Sequence, residues 1–129
     1  MDSYHQLIGH AGADATLRTT PSGIEVASFS LCVQGRRRQP DGTWVAGPAN
    51  WFRVSAWRTL ARHVKDSVLK GDHLVVIGSL DNREWTDESG VAKKTLEVSA
   101  HFVGQSLQFN AARSVRSRDE LSDLLDGAT

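Results

Sequence analysis

Hydrophobic and polar positions alternate through much of this chain, and a helical period interrupts the alternation once. From Gly23 to Gln34, Ile24, Val26, Phe29, Leu31 and Val33 mostly alternate with polar or small residues. This predicts a long strand, with a slip near Ala27 and Ser28 that reads as a bulge. The turn signal Thr20-Pro21-Ser22-Gly23 ends a shorter extended segment running from about Gln6 to Arg18. Between Gly35 and Ala49 the breakers Gly35, Pro40, Gly42, Gly47 and Pro48 crowd together. They predict a long loop, and loops of about 15 residues in compact domains tend to carry function. Asn50 to Trp57 alternates as a strand, with Trp51, Arg53, Ser55 and Trp57 on one face and Phe52, Val54 and Ala56 on the core face. Leu60, Ala61, Val64, Val68 and Leu69 recur at helical spacing between Arg58 and Leu69, and Lys70-Gly71-Asp72 supplies a cationic last turn and a glycine stop. A Val- and Ile-rich strand follows from His73 to Trp85. Thr86 to Gly90 is a hairpin connection, and Lys93 to Phe109 returns as a long strand.

Strands, one helix and a closing hairpin in this order predict an all-β fold with one helix. The chain has 129 residues, 40% of them hydrophobic, enough for one domain and a short tail. A domain of this size buries roughly two-thirds of its unfolded surface, so folding requires no metal or disulfide and no cofactor is expected. Lys plus Arg equal Asp plus Glu at 15 each, so any anion site must be a local patch. Residues 1–113 carry 13 basic and 11 acidic groups, and residues 114–129 carry 2 basic and 4 acidic. In that tail Leu121, Leu124 and Leu125 could form one amphipathic turn, too short to persist without a partner. The lone cysteine, Cys32, excludes an intrachain disulfide and a multi-cysteine zinc site. It fits a reducing cytosol and leaves an intersubunit disulfide open. No stretch approaches the roughly 20 apolar residues of a membrane span, and the start Met1-Asp2-Ser3-Tyr4-His5 has no basic region followed by an apolar one. A cytoplasmic chain without membrane partners is the expectation.

Four tryptophans accompany a single tyrosine, and their placement carries the functional reading. Trp51, Arg53 and Trp57 share one strand face, and Arg83 and Trp85 close a later strand. Flat rings and guanidinium groups at period two suit single-stranded nucleic acid, because bases stack on rings while cations neutralise phosphates. The competing reading is a sheet core, but the small apolar residues opposite the two tryptophans already fill that role. Arg36, Arg37 and Arg38 lie in the Gly/Pro-containing segment with Trp44, and Arg18, Lys93 and Lys94 are further candidates for the same field. A basic run is usually solvated surface, so its value comes from neighbouring aromatics. His5, His10, His63, His73 and His101 show no metal-ligand spacing, so no metal site is expected unless they converge in the fold. No Gly-x-Ser-x-Gly elbow, phosphate-binding glycine loop or paired acid–base motif is visible, which argues against an enzyme.

One helix between the third and fourth strands is the order of the five-stranded OB barrel, whose open face binds oligonucleotides. Five ordered segments carry a closer likeness: Thr20 to Gly23 with Val26 to Leu31, Trp51 to Val54 with Leu60-Ala61, Leu69 to Asp72, Gly78 to Leu80, and Trp85 to Gly90. Together they resemble the bacterial single-stranded DNA-binding proteins, from about Leu7 to Phe109. The resemblance implies an OB-fold domain over residues 1–110 with a long hairpin between its last two strands, followed by a short acidic tail without fixed structure over 111–129. It also implies sequence-nonspecific binding of single-stranded DNA in replication, recombination or repair, a homo-oligomer, most often a tetramer, and a nucleoid-associated protein. The family's stacking aromatics correspond to Trp51, Trp57 and Trp85, and a basic residue on the same strand to Arg53.

Departures from the family pattern are informative. Arg37 replaces a further stacking aromatic, with Trp44 as its substitute, and Asp81 and Glu84 stand where many members are basic, which should weaken binding. The acidic run Asp119 to Asp126 lacks the closing aromatic through which members dock replication proteins. The short form is similar to secondary paralogues kept for specialised DNA transactions. Three rivals follow from the same residues: an OB-fold assembly module with little DNA binding, an RNA-binding OB protein, and a metalloenzyme built on converging histidines.

Overall fold

The computed structural model describes residues 4–109 and 111–114. The elements are β1 (Tyr4–Ala11), β2 (Thr16–Thr19), β3 (Glu25–Arg38), β4 (Trp44–Trp57), α1 (Thr59–Ser67), β5 (His73–Thr86) and β6 (Ala92–Gln105). The sheet order is β1-β5-β6-β4-β3-β2, and β1 also pairs with β3, which closes five strands into an OB-type ring. All pairings are antiparallel except β4 with β6. Expectations for the acidic tail fall almost wholly outside the described residues.

The extended segment expected from Gln6 to Arg18 is two strands. β1 runs along β5 from Tyr4 to His10, and its last residues, His10 and Ala11, also meet Cys32 and Leu31 of β3. The chain then bends so that β2 follows β3. Where β1 passes between its two partners there is no room for a side chain: a Cβ at Gly9 would run into the backbone carbonyl of Cys32. This close approach closes the ring.

The ring is filled by the residues that alternation assigned to it. Ala27, Phe29 and Leu31 of β3 lie opposite Ala56, Val54 and Phe52 of β4, and all six are buried with Leu74, Val76, Val98 and Ala100. Helix α1 buries Ala61 and Val64 against this core, one turn apart, followed by the buried Val68. No side chain caps its start, so packing of this apolar stripe is what holds a nine-residue helix. The backbone at Arg58 turns through φ 63° to begin it, and its N–H donates to the Glu25 carbonyl at 2.9 Å.

Four expectations about the chain's path are corrected. The segment from Gly35 to Ala49 is a paired hairpin arm rather than a long loop, with a connection of just Gln39 to Thr43. Its breakers are absorbed by a bulge, since the register passes from Gln34↔Ala49 to Arg36↔Ala46 and two residues, Gly47 and Pro48, oppose Gly35. No bulge lies at Ala27 and Ser28, where pairing with β4 is unbroken. Val26 is buried on the other face, between Arg18 and Trp57 in the ladder. Gly71 does not stop the helix, which ends at Ser67. It turns the chain into β5, its N–H donating to the Ala11 carbonyl at 2.8 Å. Finally β6 ends at Gln105, short of Phe109.

The start of β5 brings two of the five histidines together. His10 and His73 are cross-strand partners with ring centroids 4.6 Å apart, and Phe109 packs edge-on to His73 at 4.5 Å. Among the described residues no cluster of three or more potential ligands forms, so the pair is an aromatic contact. No helix among them is long and apolar enough to cross a membrane.

Two measurements check this architecture. Gly9→Val should destabilise the fold by about 1–3 kcal/mol or more in chemical denaturation, because β1 cannot then approach β3. Burial, and secondarily the neighbouring His10, lower the His73 pKa from 6.5. The unfolded chain therefore binds the proton more readily, and stability is lost as pH falls from about 6.5 toward the lowered folded value. The midpoint of thermal unfolding should drop across that window, with a flatter pH dependence in His73→Gln.

Candidate nucleic-acid interface

All four tryptophans are on the outside, between 43% and 57% exposed. So much uncovered indole surface is unfavourable in an isolated domain and marks a face built to be covered. On β4, Trp51, Arg53, Ser55 and Trp57 point outward and Phe52, Val54 and Ala56 inward, as period two requires. Cross-strand pairing extends the outward face in both directions. Trp57 lies beside Val26 and then Arg18, Arg53 beside Ser30 on one side and Glu97 on the other, and Trp51 beside Cys32. Along the β5–β6 hairpin, Arg83 lies beside Thr95 and Trp85 beside Lys93.

These residues line two adjoining concavities. One, of about 400 Å³, is bounded by Ala13, Thr16, Ser30, Trp51, Arg53 and Thr95. The second, of about 640 Å³, is bounded by Arg18, Arg53, Trp57, Arg83, Trp85 and Glu97. Arg53 and Thr95 belong to both, so a continuous trough runs from Trp51 past Arg53 to Trp57 and Trp85. Trp51 is seated against Gly12: a Cβ there would stand 2.6 Å from ring carbon Cζ3 and 2.7 Å from the Ser30 hydroxyl. Glycine at this position lets the indole lie on the backbone.

Cations in and around the trough differ in how far they are already neutralised. Arg83 faces Glu97 at 3.9 Å, and Lys93 faces Asp87 at 3.8 Å. Among the described residues Arg18, Arg36, Arg37, Arg38 and Arg53 make no ion pair with a carboxylate, so their charge is available to a ligand. In the β3–β4 arm, Arg36 and Arg38 continue the face of Ser30 and Cys32 by strand alternation, and Trp44 is the partner of Arg38. Arg37 lies beside Val45 on the opposite face, so the run is split two to one. Glu84 is likewise turned away from Trp85, beside Lys94, whereas Asp81 lies beside Glu97 on the outward face.

Both arm tips are fixed by an aspartate. The Asp41 carboxylate accepts from the Thr43 N–H at 2.9 Å and hydroxyl at 2.6 Å. Asp87 accepts from the Ser89 hydroxyl at 2.7 Å and the N–H groups of Ser89 and Val91. Hydrogen bonds from Thr43 lower the Asp41 pKa, and those from Ser89 and Val91 lower that of Asp87. Cys32 is a half-buried free thiol between Trp51 and His10 in the ladders.

The expected stacking and basic residues Trp51, Trp57, Trp85, Arg53 and Arg83 thus come together, with Arg36, Arg38 and Trp44 on the arm beyond. Sequence reasoning missed Thr16, Ser30, Thr95 and Glu97. The last two could have been found by carrying period two back across the hairpin, where Leu96 and Val98 face the core and Thr95 and Glu97 must face out.

Comparison with known proteins gives a consistent result. The model of the single-strand binding protein family matches residues 3–109. The chain is 32% identical over 113 residues to a single-stranded DNA-binding protein of Mycolicibacterium smegmatis, covering 87% of this chain and 68% of the relative. It is 35% identical over 112 residues to one of Corynebacterium glutamicum, covering 86% and 50%. The crystal structure of a small single-stranded DNA-binding protein from Streptomyces coelicolor superposes with a TM-score of 0.75 at 27% identity, covering 84% of this chain and 98% of that one.

The seat of Trp51 is open to test. Gly12→Ala should leave the fold intact but displace the indole, seen as a shifted Trp emission spectrum relative to the native chain. A spectrum identical to native would mean the ring does not rest on Gly12.

Proposed function

Because the chain belongs to the single-strand binding protein family, we propose that it binds single-stranded DNA without strong sequence preference, stacking bases on Trp51, Trp57 and Trp85. Arg53, with Arg18 and Arg83, meets the phosphates in the trough. Arg36 and Arg38 with Trp44 extend the path along the β3–β4 arm, and Lys93 lies at the other end beside Trp85. Membership makes the chain a binding protein, not an enzyme. The observation that carries the reading is the trough in which Arg53, in no ion pair among the described residues, lies among half-exposed indoles on one sheet face.

Magnitudes decide which groups matter. A base stacked on an aromatic ring contributes about 1–3 kcal/mol, so three rings suffice to hold a short oligonucleotide before any charge is counted. Each phosphate neutralised adds about 0.7 to the slope of log affinity against log salt. A groove with Arg18, Arg53 and Arg83 set against Glu97 should therefore show a modest salt dependence, with stacking dominant.

A second surface supports self-association. Tyr4, Ile8 and Phe102 are exposed on the outside of β1 and β6, on strands that lie beside β5. Apolar side chains of this size are covered when a second copy packs there, in keeping with the homo-oligomer, most often a tetramer, that the family resemblance implies. Covering several troughs with one strand would suit service in replication, recombination or repair, here as a specialised paralogue.

Titration with a dT oligomer tests the reading. Trp fluorescence should be quenched, and the quenching should weaken as salt rises. Trp51→Ala, which removes an exposed ring, should lose at least about 1 kcal/mol of affinity while unfolding normally. Absence of quenching at low salt in a folded sample would favour the assembly-module reading, and preference for matched RNA would favour the RNA-binding one.

A further inference from the structure

Glu97 is out of place in a trough for a polyanion. It is partly buried in the wall of the larger concavity, among Arg18, Arg53, Arg83, Trp57 and Trp85. On the β4 side its ladder neighbour is Arg53, and on the β5 side it is Asp81. Arg83, two pairs further along the hairpin and so on the same face, reaches its Oε1 at 3.9 Å. Stability does not explain the arrangement, since an ion pair this exposed contributes little to folding. Two carboxylates opposite each other on neighbouring strands are unfavourable unless cations flank them, and here Arg53 and Arg83 do.

We propose that Glu97 is an internal competitor for nucleic-acid phosphate, which occupies Arg83 in the free protein and sets how tightly and how salt-sensitively the trough holds a single strand. The proposal rests on the trough being the single-strand site. A phosphate entering between Trp57 and Trp85 must take Arg83 from a carboxylate that remains beside it, so binding there gains little net charge neutralisation. Stacking is unaffected, because the strand register puts Glu97 beside Arg53 and Asp81 and pairs it with none of the tryptophans. The device keeps the strand on the aromatics while holding down the charge-driven part of affinity, which would favour rapid release.

Glu97→Gln preserves shape and removes the charge. Affinity for a dT oligomer, read from Trp quenching across a salt series, should rise several-fold at low salt, and the salt slope should steepen by about 0.7, one further phosphate. Arg83→Ala should cost more affinity in E97Q than in the native chain. Equal or weaker binding by folded E97Q, or the same cost of Arg83→Ala in both backgrounds, would overturn the proposal. So would a loss confined to oligo-dC, which would make Glu97 an acceptor for a base amino group. Asp81→Asn, at an exposed position, should shift affinity and slope in the same direction by less, and takes the place of E97Q if that variant does not fold. Salt-sensitive quenching in the native chain with unaltered E97Q defeats the role of Glu97 alone; no quenching in either defeats the reading of the trough with it.

Discussion

Everything on the tryptophan-bearing face depends on β1 fitting between β5 and β3. The ring closes through the few residues around Gly9, His10 and Ala11, where one strand serves two partners in succession. Closure curls the sheet so that Ala27, Phe29, Leu31 and their β4 partners face inward, and it satisfies strand edges that would otherwise be open for pairing with other chains. Once those residues are committed to the interior, the pleat leaves Trp51, Arg53 and Trp57 no choice of side. The outward face is the geometric complement of the core.

The two hairpin arms convert that face into a trough. β3–β4 and β5–β6 each run 14 residues per strand, longer than the ring alone needs. Their outer halves carry Trp44 and Trp85 beyond the buried core cluster. Arg53 sits with Thr95 at the junction of the two concavities, and it is the charged one of the two residues they share.

The alternation of β4, the helix expected between Arg58 and Leu69 and found at Thr59–Ser67, and the closing hairpin were legible because each depends on local periodicity and burial. The β3–β4 arm was not. Gly35, Gly47 and Pro48 are breakers in isolation, and they become tolerable only because a bulge gathers them at one point where the ladder is already interrupted. The division of the first extended segment into β1 and β2 was also hidden, since the bend at Gly12 is set by contact with β3 and Trp51 rather than by turn residues. The aromatic half of the candidate site was readable from spacing. Its charge pattern required the register, which alone puts Glu97 beside Arg53 and Asp81, and the pairing of the β3–β4 arm, which turns Arg37 away.

The aspartate-fixed tips of the arms bear on the entropy of encounter. A flexible loop that closes on a polymer loses conformational freedom at the moment of contact, and that loss is subtracted from the affinity. Here the Asp41 and Asp87 carboxylates hold the two connections in shape beforehand, through short hydrogen bonds within each turn. In the proposed mode of binding the arms meet a passing strand as preformed walls, and the disorder given up on contact falls mainly to the nucleic acid.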